Sequence, residues 1–337
     1  MRSVREEGAE RRRVRERGTF AQQPEQRKTP RSAPRDWQRT IRTIHLRSAS
    51  RTRRVPTHLS PCRSLSHPTS KAVILARGLG TRMRRPGGAP GLSDEQQSAA
   101  DTGVKGMIPI GRPFLDYVIS ALADAGIADV CLVIGPEHHA IREYYQAKNR
   151  LTRIRVHFAI QQQPLGTADA VAAAEAFAAG EHVLMLNSDN YYPVHTLRAL
   201  RDLGSAGVAV FERAALVQLG NIDAERIEKF SVVRIDADGS LAQIIEKPGA
   251  DVVASLGHEV FVGMNSWSLP PEIYAACRAI SPSVRGELEL QDAVQYARDA
   301  MGVRFKVLTF HDGVLDLSSR GDIASVAERL RDTEPRL

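Results

Sequence analysis

The sequence predicts an α/β protein with a mixed, mostly parallel, Rossmann-like sheet, helices on both of its faces and a smaller α+β part after it. Three observations predict it. Short apolar runs with β-branched centres recur at residues 72–76, 129–134, 154–160, 183–186 and 207–211, as in strands buried on both faces. Amphipathic stretches of about ten residues alternate with those runs, the arrangement that lays crossover helices over a parallel sheet. Polar or glycine-rich breaks follow three of the runs, at 78–82, at 161–166 and at Asp189. The carboxyl ends of parallel strands are where such sheets bind ligands.

Ahead of the first run the composition is different. Residues 1–70 carry 18 Lys and Arg against 6 Asp and Glu, so the net charge of +7 resolves into +12 there and −5 in residues 71–337. The segment is rich in Arg, Ser, Pro, Gln and Thr, has no sustained period, and cannot bury enough apolar surface to offset its ordering entropy. We expect a disordered basic tail. Binding to nucleic acid or an anionic surface is one use for it. An organelle transit peptide is a second, against which Glu6, Glu7, Glu10 and Glu16 count. The favoured reading is a start assigned too far upstream of a body beginning near Lys71, which the intact mass of the native protein tests. The mildly acidic body gives no reason to expect nucleic acid as its partner. No apolar run reaches the length of a membrane span, and the first residues lack an apolar signal core. Cys62, Cys131 and Cys277 are too far apart for a metal spacing and odd in number, which points to reduced thiols in a cytoplasmic protein.

The body opens with the strand at 72–76, which breaks into Arg77, Gly78, Leu79, Gly80, Thr81 and Arg82. Glycines directly after a buried strand allow a sharp turn and a close approach to backbone N–H groups. Arg82 adds a permanently charged planar fork, so phosphate is the ligand this loop suits. A dinucleotide fingerprint would need a third glycine at Met83, and a Walker loop would need Lys-Ser or Lys-Thr where Thr81 and Arg82 stand. Residues 84–102 show no period and read as a mobile flap. Lys105 follows, and Pro113 opens an amphipathic helix to about residue 125. A helix over about 137–147 comes after the second strand. Its adjacent His138 and His139 point apart and read as solvated rather than metal-binding. The third strand runs into Gln161, Pro164, Gly166 and Thr167, then an alanine-rich helix over about 168–179. The fourth ends in Asn187, Ser188, Asp189 and Asn190, and a helix over about 194–203 leads to the fifth.

Residues 71–220 thus read as one part and 221–337 as another. Runs at 230–235 and 241–245 flank Asp238 and Gly239, a hairpin signal. Glu246, Lys247, Pro248 and a loop lead to a strand over 259–267 that holds Asn265. Helices from about 270 and up to 300, strands at 303–310 and 313–317, and an amphipathic helix over 319–330 complete the α+β part.

Taken together, L-A-R-G-L-G-T-R at 75–82, a lysine before I-P-I-G-R-P, Q-x-x-P-L-G-T-A from Gln161, the strand-end Asp189, E-K-P at 246–248, M-N-S-W at 264–267 and R-G-E-L-E-L-Q-D at 285–292 resemble the sugar-phosphate nucleotidyltransferases. The pattern is similar to that of the glucose-1-phosphate thymidylyl- and uridylyltransferases, over about residues 71–330. The resemblance implies a nucleoside triphosphate and a sugar 1-phosphate as substrates, a nucleotide-diphosphate sugar and pyrophosphate as products, and Mg²⁺ as cofactor. It implies that Ala76, Gly78, Leu79, Gly80, Thr81, Gln161, Gly166 and Thr167 bind the nucleotide. Arg82, Lys105, Asp189 and Lys247 would be catalytic, Glu246, Lys247 and Asn265 would bind the sugar phosphate, and Asp189 with Asp316 would hold the metal. Arg77 stands where the family has a small residue, Lys105 lacks the preceding proline, and Asn190 replaces an acid. Two other functions stay open: a metal-dependent glycosyltransferase, and a catalytically silent binding protein of the same fold. The base, the sugar and assembly into a homo-oligomer stay open as well.

Overall fold

A computed structural model describes residues 68–85, 91–148, 151–256 and 260–337. Residues 1–67 of the tail expected over 1–70, and 86–90 of the expected flap, lie outside the described residues.

Among the described residues nine strands form one sheet: β1 (Lys71–Leu75), β2 (Asp129–Ile134), β3 (Arg155–Ile160), β4 (Val183–Asn187), β5 (Gly207–Glu212), β6 (Ser231–Ile235), β7 (Leu241–Glu246), β8 (Phe261–Leu269) and β9 (Lys306–Phe310). β3, β2, β1 and β4 lie side by side and parallel. β8 then runs antiparallel between β4 and β5, and β9 pairs parallel with β5. β6 and β7 form the expected hairpin, with Gly239 at φ 79° in its turn, and β6 continues the sheet along the first three residues of β8. The chain order reverses at β1, so the crevice beyond the carboxyl ends of β1, β2 and β4 is the topological switch point.

Seven helices matter for the site: α1 (Asp94–Thr102), α2 (Phe114–Asp124), α3 (Thr167–Ala173), α4 (Val194–Asp202), α5 (Glu272–Ala279), α6 (Leu290–Met301) and α7 (Asp322–Leu330). The two-residue period of the strands divides the core between the two faces. Ala72 and Ile74 of β1 and Leu132 of β2 pack with Phe114, Leu122, Leu197 and Ile323 from α2, α4 and α7. Val73, Cys131 and Val133 pack on the other face with Val171, Ile273 and Val294 from α3, α5 and α6. Each such side chain is fully buried, and each Val, Leu, Ile or Phe among them is worth about 1.5–3 kcal/mol relative to exposure. Cys131 and Cys277 are free thiols inside this second core, and burial pushes both up to about 12. Among the described residues no helix is long and apolar enough to cross a membrane.

The structure corrects several expectations. Residues 94–102, read as part of a flap, are helical. Ser93 accepts from the Gln96 backbone N–H while Gln96 Oε1 accepts from the Ser93 N–H, a reciprocal cap that fixes the helix start. The helix expected over 137–147 is a short α turn, His139–Glu143, followed by a π turn, Tyr144–Lys148. The alanine-rich helix is broken at Ala174 into α3 and a single turn, Glu175–Ala178. Short helices at Arg213–Leu219 and Gly249–Ser255 fill stretches without a strong period. Residues 315–316 leave the main sheet and pair instead with Asn190 and Tyr191.

Candidate active site

The loop after β1 is shaped by its neighbours. The Ala76 N–H donates to the Val133 carbonyl at 2.8 Å, and Ser188 N–H to the Leu75 carbonyl at 3.1 Å, so the ends of β1, β2 and β4 are tied together. Gly80 then takes φ 59°, and a Cβ there would collide with the Gly103 carbonyl. Gly103 is itself left-handed at φ 75°, ending α1. The two glycines press backbone against backbone, and Gly103 went unnoticed in the sequence although a glycine closing a helix is a legible signal. Gly78 differs: nothing lies within 4 Å of where its Cβ would be. Its missing side chain leaves open space above the loop rather than relieving strain.

That space belongs to a cleft of about 430 Å³. One wall is the turn itself, Ala76 through Arg82. A second comes from the end of β3 and the start of α3, with Gln161, Gly166 and Thr167; a third is Lys105 with Asn187, Ser188 and Asp189 beyond β4. Glu287 closes part of the rim. Sequence reasoning gave no role to Asn187, Ser188 or Glu287. Arg82 is exposed and has no ion-pair partner among the described residues, so its fork is available to an anion. Lys105, carried on a short 3₁₀ turn, meets Asp189 at 2.7 Å, with both side chains mostly buried.

Asp189 is held from beneath. Its carbonyl accepts from Leu317 N–H at 2.8 Å, and Asn190 pairs with Asp316 in the small ladder. Asp316 is 3% exposed. One of its carboxylate oxygens accepts from Asn190 Nδ2 at 3.0 Å and the other from Arg226, which also binds Asp322 at 2.7 Å. Burial, and then the charge of Asp189, push the Asp316 carboxyl up against the opposing pull of Arg226. Both Asp316 oxygens accept from donors, and of the two aspartates expected at the metal Asp189 is the one that lines the cleft. Among the described residues no group of three or more His, Cys, Asp or Glu side chains could hold a metal. The donor set suits a hard cation taken mainly by phosphate oxygens plus one carboxylate, Asp189.

Arg77 lines the cleft where a small residue was expected. Its Nε lies 3.4 Å from Glu137 Oε1, and its Nη1 is buried without a partner among the described residues. His138 is not solvated: its side chain is 9% exposed and its Nδ1 accepts from Gly135 N–H at 3.2 Å. Burial holds its pKa down.

The remaining predicted residues stand elsewhere. Glu246, Lys247 and Asn265 do not line the cleft; Asn265 and Glu246 interact with residues 285–292. Asn265 Oδ1 accepts from Gln291 Nε2 at 3.1 Å. The Glu246 residue is solvent-exposed, yet desolvation among its neighbours and the charge of Glu289 push its carboxyl up. Lys247 at φ 45° and Asn265 at φ 57° are two of three non-glycine residues in left-handed backbone among the described residues. Asn265 sits in a register shift of β8 between Gly263 and Ser266. Strain of this kind costs about 1–3 kcal/mol and concentrates at functional sites.

The 285–292 segment joins the two groups. Leu288 N–H donates to the Leu165 carbonyl and Ala168 N–H to the Leu288 carbonyl, at 2.8 and 2.9 Å, and Thr167 Oγ1 accepts from Leu290 N–H at 2.8 Å. Gly166 has φ 130°, and a Cβ there would run into the Leu288 backbone.

Residues 71–312 match the family described as nucleotidyl transferase. A glucose-1-phosphate thymidylyltransferase of Streptomyces griseus is 30% identical over 231 residues, 68% of this chain and 58% of that protein. A low-salt glycan biosynthesis nucleotidyltransferase of Haloferax volcanii is 27% identical over 233 residues, 67% of this chain and 56% of that protein. The chain thus spans little more than half the length of these two relatives. A solved UDP-glucose pyrophosphorylase complexed with UDP-glucose superposes with a TM-score of 0.61 at 18% identity, over 79% of this chain and 99% of that one, a likeness of fold.

Proposed function

The chain belongs to the nucleotidyl transferase family, and on that premise we propose that it transfers a nucleotidyl group from a nucleoside triphosphate to a sugar 1-phosphate, releasing pyrophosphate. One observation carries the reading. The glycine turn, Arg82, Lys105 and Asp189 converge on a single cleft at the switch point of the sheet. A sugar 1-phosphate is already ionised and needs no side-chain nucleophile, so the protein's work is to bring two anions together and neutralise the transferring phosphoryl group. Gly78 and Gly80 would present backbone N–H groups to the triphosphate. Arg82 would hold the leaving pyrophosphate. Lys105 would pass from Asp189 to a phosphate oxygen when substrate enters. Asp189, released from Lys105, would hold Mg²⁺, which when bound supplies further charge neutralisation at the phosphates. Asp316 and Arg226 would keep the Asp189 loop in place.

The sugar phosphate would lie toward residues 285–292, with Lys247 on its phosphate and Glu246 and Asn265 on hydroxyls. That arrangement makes 71–220 the nucleotide-binding part and 221–337 the sugar-phosphate part. It also suits a cytoplasmic protein, where both substrates occur. The experiment is pyrophosphate release with a panel of triphosphates and sugar 1-phosphates in Mg²⁺. Release that requires both substrates supports transfer. Release with no pair at all favours a silent binding protein instead.

A further inference from the structure

The nucleotidyl-transfer reading gives no role to Arg77, and the inference that follows rests on that reading. Arg77 stands between Ala76 and Gly78 in the turn after β1. Its side chain is 8% exposed, yet it lines the cleft. Its one ion pair among the described residues is the Nε contact with Glu137 Oε1 at 3.4 Å, longer than the about 2.7–2.9 Å usual between charged partners. Nη1 is sealed from solvent and has no partner among the described residues. Nη2 has no hydrogen bond among them either, and it is not sealed. A buried arginine kept for the fold has its donors taken up, as Arg226 has by Asp316 and Asp322. A buried donor left unmet carries its desolvation cost with nothing to offset it. The empty cleft therefore gains little from this guanidinium, in a place where the resemblance implies a small residue.

The charged side chains along the cleft are Arg77, Arg82 and Lys105 against Asp189 and Glu287. Lys105 and Asp189 meet each other at 2.7 Å. Two guanidinium groups remain, one at each end of the Arg77–Arg82 turn. We infer that Arg77 is a further nucleotide-binding residue, whose guanidinium takes a phosphate oxygen of the nucleoside triphosphate, so that the turn holds that anion with two cations rather than one. A guanidinium is permanently charged, sheds water more readily than an ammonium and presents donors in a plane, which suits it to a phosphate in a partly closed cleft. The residues proposed for the sugar phosphate do not line this cleft, which leaves the triphosphate as the anion in reach. The Glu137 side chain is half-exposed, so water replaces Arg77 at its carboxylate if the long contact gives way.

The test is equilibrium binding of UTP, dTTP, GTP, CTP and ATP to the full chain with Mg²⁺ and no sugar phosphate, so that turnover does not intervene. The nucleotide that binds tightest is then titrated into three variants. Arg77→Ala restores a small residue, Arg77→Met keeps the bulk of the buried stem without charge, and Arg77→Lys keeps the charge. Arg77→Ala and Arg77→Met are each expected to weaken binding by about tenfold or more, and Arg77→Lys by clearly less than Arg77→Met. The urea midpoint of Arg77→Met without nucleotide is expected to stay at or above that of the unmodified protein, because an unmet buried cation has been removed. Binding by Arg77→Met equal to that of the unmodified protein makes Arg77 a matter of bulk and overturns the inference. Equal losses in Arg77→Lys and Arg77→Met show that charge is not what the ligand reads, and overturn it as well. Either result leaves the transferase reading standing. Failure of all five nucleotides to bind the unmodified protein overturns the transferase reading itself. Should Arg77→Ala fail to fold, the comparison of Arg77→Met with Arg77→Lys still decides.

Discussion

Gly80 is held from both sides, by a left-handed backbone and by the Gly103 carbonyl. Neither constraint tolerates a side chain, and Gly80→Ala is expected to lower stability by about 3 kcal/mol, read from urea unfolding. Gly78 has room above it, so its replacement by alanine should spare stability and act on triphosphate affinity alone. Asp189 and Arg82 carry charge in the same cleft with little bearing on the core. Asp189→Ala and Arg82→Ala are each expected to lose turnover by about a hundredfold or more while the circular dichroism spectrum is kept. Full activity of either at saturating Mg²⁺ contradicts the proposed chemistry. Most of these residues were legible because glycine, arginine and aspartate next to a strand end have few structural uses. Arg226 was not, because its role comes from partners 90 and 96 residues away in sequence.

At the scale of elements, the strands of the parallel core were readable from their apolar runs, since burial on both faces leaves little choice of residue. The helix at Asp94–Thr102 was missed because its faces are mostly polar and its evidence is the Ser93–Gln96 cap rather than a period. Ser93→Ala should therefore cost about 1 kcal/mol and loosen the 93–103 segment that buttresses Gly80, which hydrogen exchange of that segment would report. A second element-level expectation concerns the edge of the sheet. Asp129 opens β2 and binds Arg155 at 2.7 and 2.5 Å and His157 at 2.9 Å, on β3. The hydrogen bonds from Arg155, more than its charge, hold the Asp129 carboxyl below the usual aspartate range. A lowered folded pKa contributes stability above the unfolded value, and that contribution is lost as pH falls through the folded one. Asp129→Asn is expected to flatten the fall in urea midpoint between about pH 5 and pH 2; an unchanged slope would show that other carboxylates set the acid limb.

For the molecule as a whole, one sheet takes strands from both halves of the chain, and residues 285–292 stitch the second half to the Leu165–Ala168 turn of the first. The proposed sugar-phosphate residues are not among those that line the cleft Arg82 and Asp189 share. Lys247→Ala is accordingly expected to raise KM for the sugar 1-phosphate several-fold and leave KM for the triphosphate nearly unchanged, in steady-state kinetics with each substrate varied in turn. The reverse ordering removes Lys247 from the sugar side.

The sequence by itself determined the strands, their alternation with helices and the three polar strand ends, because burial and backbone freedom are local demands that a few adjacent residues satisfy. Only the tertiary structure decided what each polar group has left to offer. Lys105 is spent on Asp189, Asp316 on Asn190 and Arg226, and the Gln161 amide on Gly166 and Asp169. A hydrogen-bonding group has a fixed number of donors and acceptors, and which of them remain free depends on neighbours that folding brings from distant parts of the chain.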